Sequence, residues 1–173
     1  MADTKISALT ALTGAGTDTA NDVLAIVDTS ASQTKKILVD ELRIALMSNS
    51  AVSNILGGDV ALNNVSNYFD GPSVSQGTSG TWFASGTVTL EDTVSIGPQF
   101  SVKLWDGTNI IASAVQSSSG ANVPVSITLS GFITNPGANI RISVKDASAT
   151  TGKILFNQSG NSKDSSLFAF RIG

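Results

Sequence analysis

Two patterns of apolar and polar positions divide the chain. From Tyr68 onward, alternation with a period of two dominates, which is the signature of strands with one buried face. In Thr81–Leu90 the positions Trp82, Ala84, Val88 and Leu90 are apolar, while Thr81, Ser85, Thr87 and Thr89 are polar. Phe100, Val102 and Leu104 alternate with Ser101 and Lys103, and Ile110, Ala112 and Ala114 follow a turn. Val123, Val125, Ile127 and Leu129 form a further run, whose start Pro124 marks as a sheet edge. Ile140, Ile142 and Val144 come next, then Ile154 with Phe156, and finally Phe168, Phe170 and Ile172. About seven strands separated by turn residues predict an antiparallel β-sandwich, and the lack of a cysteine pair around a tryptophan favours a jelly-roll-like arrangement. Parity also predicts a three-residue loop, Trp105-Asp106-Gly107. It would pair Leu104 with Thr108 and Val102 with Ile110, and leave Trp105 at a hairpin tip.

The first part of the chain reads differently. Val23–Val27 and Lys36–Val39 are short apolar runs on either side of a polar loop, Asp28–Gln33, and predict a small hairpin. Asp40 then caps a short helix carrying Leu42, Ala45 and Leu46. A hairpin with one helix is marginal alone and needs something to pack against. Between Ser48 and Ser66, Val52, Ile55, Leu56, Val60, Leu62 and Val65 are scattered around the pair Gly57-Gly58. The organisation expected is therefore a region at 1–47 that packs against the sandwich, sibling chains or a larger partner, a connector with oligomer contacts at 48–66, and a β-sandwich at 67–173.

Composition narrows the function more by exclusion than by suggestion. Charged residues make up 13% of the chain against a typical ~25%, their place taken by Ser, Thr, Asn and Gly, which favour strands and turns. A net charge of −3 with ten scattered basic residues predicts no nucleic-acid partner. The apolar runs fall short of the ~18–20 residues a membrane span requires, so no membrane insertion is expected. The start of the sequence lacks a secretory pattern, which points to synthesis in a cytoplasm. With neither cysteine nor histidine, thiolate chemistry, the usual general base and the commonest transition-metal ligand all drop out. The adjacent acids Glu91 and Asp92 fall on opposite faces of a strand, and Asp106, Asp146 and Asp164 lie in separate turns. The expectation is a non-enzymatic protein with no catalytic residues, no cofactor and no metal motif; whether loop aspartates gather around calcium depends on their placement in space.

Binding chemistry has a few candidates. Trp82 has core parity. Trp105, Asp106 and Tyr68 have the types that stack on a sugar ring and bond its hydroxyls, and equally suit a contact between chains. The polar stretches Ser73–Gly80, Ser117–Gly120 and Ala147–Gly152 read as solvated loops or as an adaptable recognition rim.

Two sets of residues carry a resemblance. Lys5-Ile6-Ser7-Ala8-Leu9, Asp22-Val23-Leu24-Ala25-Ile26-Val27-Asp28 and Thr34-Lys35-Lys36-Ile37 resemble a short N-terminal module of tailed-bacteriophage fibre, tailspike and related virion proteins, which attaches the rest of the chain to the particle. Gly77–Trp82, Val102–Gly107 and Gly152–Asn157 are similar to β-sandwich modules of phage and prophage structural proteins, which are usually trimeric. The resemblance implies a homotrimeric phage virion structural protein that docks on capsid or tail proteins and displays an outward sandwich on the virion surface. Ile6, Leu9, Leu12, Val23, Leu24, Ile26, Ile37 and Leu42 would be its docking anchors. The lack of a long shaft repeat favours a short capsid-surface fibre or decoration protein. A tail fibre or adaptor, or a receptor-binding protein for a host-surface glycan, is the alternative.

Overall fold

The computed structural model describes residues 18, 20–21, 23–28, 33–40, 42, 51–94 and 96–172. Contacts divide the chain into two units, 1–49 and 50–173. In the first, β1 (Val23–Asp28) and β2 (Gln33–Leu38) form the antiparallel hairpin that the apolar runs predict, with Leu24 opposite Ile37 and Val23 opposite Leu38. Residues 39, 40 and 42 are helical, so the helix is already under way at Val39 and Asp40 lies within it instead of capping it. Ile6, Leu9 and Leu12 lie outside the described residues, as do Ala45 and Leu46.

The second unit is an antiparallel β-sandwich. Its four-stranded sheet runs β5 (Phe69–Val74), β10 (Ile140–Asp146), β7 (Gln99–Trp105), β8 (Ile110–Ser117). The other sheet is organised on β6 (Thr81–Asp92), whose twelve residues serve three partners. One edge pairs along Thr81–Leu90 with β9 (Val125–Thr134). The other edge pairs first with β12 (Ser166–Arg171), then with β11 (Gly152–Leu155). Beyond these lie β3 (Ala51–Ile55) against β12 and β4 (Val60–Leu62) against β11.

Within the stretch expected as a connector, residues 51–55 and 60–62 are therefore strands of the sandwich, and Leu62 is fully buried in its core. Their apolar residues are too sparse to read as strands alone because each run needs only one buried face and a ready-made neighbour to pair with. β5 lies outside the predicted strands, since Pro72 and Gly71 interrupt its pattern. As an edge strand it tolerates the proline.

The core fills the space between the sheets. Trp82, Ala84, Val88 and Leu90 from β6 meet Phe100, Val102 and Leu104 from β7 and Ile140, Ile142 and Val144 from β10. Gly86 occupies the core parity of β6 because Ile142 takes the room of a side chain: a Cβ there would stand 2.9 Å from Ile142 Cδ1 and 2.6 Å from the Ser166 carbonyl. Trp82 is in the core, as its parity predicts, with Nε1 donating to the Ser79 carbonyl at 2.9 Å.

Two expectations need correction. The β7–β8 connection is not a three-residue loop. Trp105 pairs with Ile110, and a bulge restores Leu104 opposite Ala112 and Val102 opposite Ala114. Trp105 is thus the last residue of β7 and not a hairpin tip. On β12 the apolar residues that face the core are Leu167 and Ala169, while Phe168 and Phe170 point out of the sandwich.

Candidate functional site

Outward-facing positions of the two sheets differ sharply in chemistry. On the six-stranded sheet, Phe132, Phe83 and Phe170 stand in one row across β9, β6 and β12, in register. Phe83 is 5.0 Å from Phe132 and 5.4 Å from Phe170 between ring centroids, and Phe168 lies parallel to Phe170 at 6.4 Å. Phe132 is 63% exposed, Phe168 44% and Phe170 39%, and Ile55 on the adjoining edge strand is 47% exposed. Hydroxyls paired across strands flank these rings: Thr81 with Thr134 at 3.0 Å, Thr87 with Thr128 at 2.7 Å and Thr89 with Ser126 at 2.9 Å. The outward residues of β9, of β12, of β3 and of β6 as far as Thr89 include no charged side chain. A four-phenylalanine surface flanked by hydroxyls that satisfy one another suits a protein–protein contact.

Sequence parity could have disclosed this surface. Phe83 interrupts the polar set Thr81, Ser85, Thr87, and Phe132 stands at the same parity as Ser130 and Thr134. A large apolar residue on the solvent side of two neighbouring strands is the signal. It becomes persuasive only once the register shows that the rings meet.

The outward face of the four-stranded sheet is cationic and aromatic. Lys103 Nζ stands 3.2 Å from the Trp105 ring centroid and 4.2 Å from that of Tyr68, so one ammonium joins two of the candidate residues. Trp105 Nε1 donates to Ser143 Oγ at 2.6 Å, and that hydroxyl donates to Asp70 Oδ1 at 2.5 Å. Arg141 pairs with the other Asp70 oxygen at 3.4 Å, and its guanidinium carbon is 5.0 Å from the Trp105 ring. Lys145 approaches Tyr68 at 5.4 Å. Burial pushes the Lys103 pKa down and Arg141 adds to that, while Asp70 opposes it. Three cations share this face with Asp70, an excess of positive charge on a chain of net charge −3.

Asp106, the third candidate, does not join them. It is 1% exposed and holds the β7–β8 turn. Its Oδ1 accepts from the Thr108 and Asn109 amides at 2.9 and 2.6 Å, and its Oδ2 from the Gly137 amide at 2.8 Å and Asn109 Nδ2 at 3.1 Å. Of the docking anchors within the described residues, Val23 and Leu24 are each 47% exposed, and Ile37 and Leu42 are half-buried. Ile26 lies opposite Lys35 in the hairpin register.

No protein-family model matches the chain, and no curated protein matches it in sequence. Among solved structures it is similar to the Eiger TNF from S. frugiperda, at 11% identity over 73% of this chain and 87% of that one, with a TM-score of 0.39. The PRD1 vertex protein P5 is similar at 12% identity over 72% and 96% of the two chains, TM-score 0.34. A family 6 carbohydrate-binding module of Cellvibrio mixtus lichenase 5A, solved with cellotriose, is similar at 9% identity over 88% and 87%, TM-score 0.31.

Proposed function

We propose that this chain is a structural protein of a phage particle surface, a short fibre or decoration protein. It assembles as a homotrimer through the phenylalanine face of its sandwich and acts by binding, without catalysis. The observation that carries the assembly is the row Phe132–Phe83–Phe170 with Phe168 beside it, left exposed on the part of the sheet face that holds no outward charged residue, away from the Glu91–Lys153 pair. Self-association suits a neutral surface, because identical copies bring identical charges and a charged patch would repel its own copy. Burying such rings contributes about 1.5–3 kcal/mol each before ordering costs, enough in combination for a stable oligomer. The first unit supplies attachment to capsid or tail proteins, a role supported by its resemblance to virion attachment modules.

Light scattering coupled to size exclusion tests the assembly on the full chain. The expected mass is three times that of one chain, falling to one when Phe132→Asp and Phe168→Asp are combined, with an unchanged far-UV dichroism spectrum. A wild-type monomer at micromolar concentration, or an undiminished trimer in the double variant, contradicts it.

A second reading has its own support, the Tyr68–Lys103–Trp105 cluster. Here the outward face of the four-stranded sheet binds a host-surface glycan, and the surplus of positive charge selects acidic sugars. Binding to a uronate-containing polysaccharide should weaken at least tenfold in Trp105→Ala and on raising salt from ~50 to ~500 mM. Equal retention of neutral and acidic polymers by both proteins would dismiss it.

A further inference from the structure

Asp92 is the last residue of β6 and Asp146 the last of β10, so each sheet contributes one acid at the same end of the sandwich. Both are 0% exposed. Asp92 accepts from the Val94 amide at 2.7 Å, and Thr151 Oγ1 lies 3.1 and 3.2 Å from its two oxygens. Asp146 Oδ1 accepts from the Ser148 and Ala149 amides at 2.8 and 3.2 Å. Its other oxygen, Oδ2, is buried and accepts no hydrogen bond. That oxygen packs on Gly152, where any Cβ would collide with it, and Gly152 is the direct strand partner of Asp92. The two carboxyl groups therefore adjoin, and burial together with Asp92 raises the Asp146 pKa against the pull of the Ser148 and Ala149 amides. The neighbouring acid, Glu91, has the opposite parity and pairs in register with Lys153.

An acceptor oxygen sealed from water with no donor is costly, and a second carboxylate beside it raises the cost. Something positive between the two acids removes the difficulty. We propose that Asp92, Asp146 and Thr151 form a calcium site that ties the two sheets together at this end of the sandwich. The donors are all oxygen, which suits a hard cation, and two carboxylates balance one divalent charge. Calcium accepts irregular sets of six to eight oxygens at variable distances. Magnesium needs near-octahedral geometry and keeps several waters, for which a site closed to solvent has no room.

The test is thermal unfolding of the full chain after chelation, with calcium or magnesium restored. Calcium at ~5 mM, above the Kd on the order of 10⁻⁴–10⁻³ M of extracellular modules, should raise Tm by about 5 °C or more, and magnesium by much less. Asp146→Asn turns an amide donor toward Asp92, so that variant folds without metal and should lose the calcium response. Calorimetric titration of the chelated wild-type chain should show one calcium bound per chain. A wild-type Tm indifferent to calcium, with Tm rising instead as pH is lowered from ~7 to ~5, would overturn the proposal and assign a shared proton to the pair. A full calcium response retained in Asp146→Asn would overturn it as well.

Discussion

Asp106 shows how a residue with the chemistry of a binding site can be committed entirely to the fold. Burial favours its neutral form, but the amides of Asn109, Gly137 and Thr108 and the Asn109 side chain all donate to it and hold its pKa well below the usual carboxylate range. A folded pKa below the unfolded one means that ionised Asp106 stabilises the fold at any pH above the unfolded value, near 4. That contribution is lost as pH falls from there through the folded value. Asp106→Asn should cost roughly 2–4 kcal/mol at pH 7, because an amide places a donor against donors. The gap in Tm between the two proteins should narrow as pH falls from ~5 toward ~2, which unfolding monitored by dichroism would measure. A gap that stays constant with pH would mean that the charge is not what the turn uses. Trp105, next to it in sequence, points to the other side of the sheet and joins Tyr68 through Lys103. Parity places both residues in one loop, and only the bulged hairpin register, with Trp105 paired to Ile110, separates the turn residue from the surface one.

At the level of strands, the sequence reveals core faces well and outward faces poorly. The alternation in β6, β7 and β10 predicts their buried residues correctly, since one period-two pattern meets one core. β12 defeats the same reasoning. Its residues Leu167, Phe168, Ala169 and Phe170 are all apolar, so both parities are plausible, and the larger side chains suggest the core. Space decides otherwise: β12 lies beside β6 at Gly86, where the Leu167 side chain already crowds the position a Cβ would take. Small Ala169 completes the buried side, and the phenylalanines are turned outward to meet Phe83. Likewise, Glu91-Asp92 and Asp146 lie far apart in sequence, and the pairing of one acid from each strand end follows only from the way the sheets stack. Residues 51–55 and 60–62 were hidden for a related reason, because short strands at the margins of a sheet borrow their order from neighbours.

For the whole molecule, the proposed function assigns attachment to unit 1–49 and display to unit 50–173. The hairpin of the first unit is two strands with Val23 and Leu24 each about half exposed, less than a stable fold normally requires without a partner surface. If the particle supplies that surface, Leu24 is an anchor whose burial is completed only on docking. Leu24→Asp would then forfeit about 1.5–3 kcal/mol of apolar burial and place a charge in the contact, equivalent to at least a tenfold loss of occupancy. Its sandwich should be unaffected, since Leu24 lies outside unit 50–173. Purified particles carrying Leu24→Asp should therefore contain the protein at a tenth of the normal copy number or less, measured by quantitative electrophoresis. The free variant should keep its oligomeric mass and its melting temperature. Combining Phe132→Asp with Phe168→Asp should do the reverse in solution, abolishing the trimer while leaving each hairpin able to engage. Attachment would weaken only through the loss of three linked contacts. Particles with full occupancy by Leu24→Asp would remove the hairpin from the attachment surface and leave the sandwich to account for binding by itself.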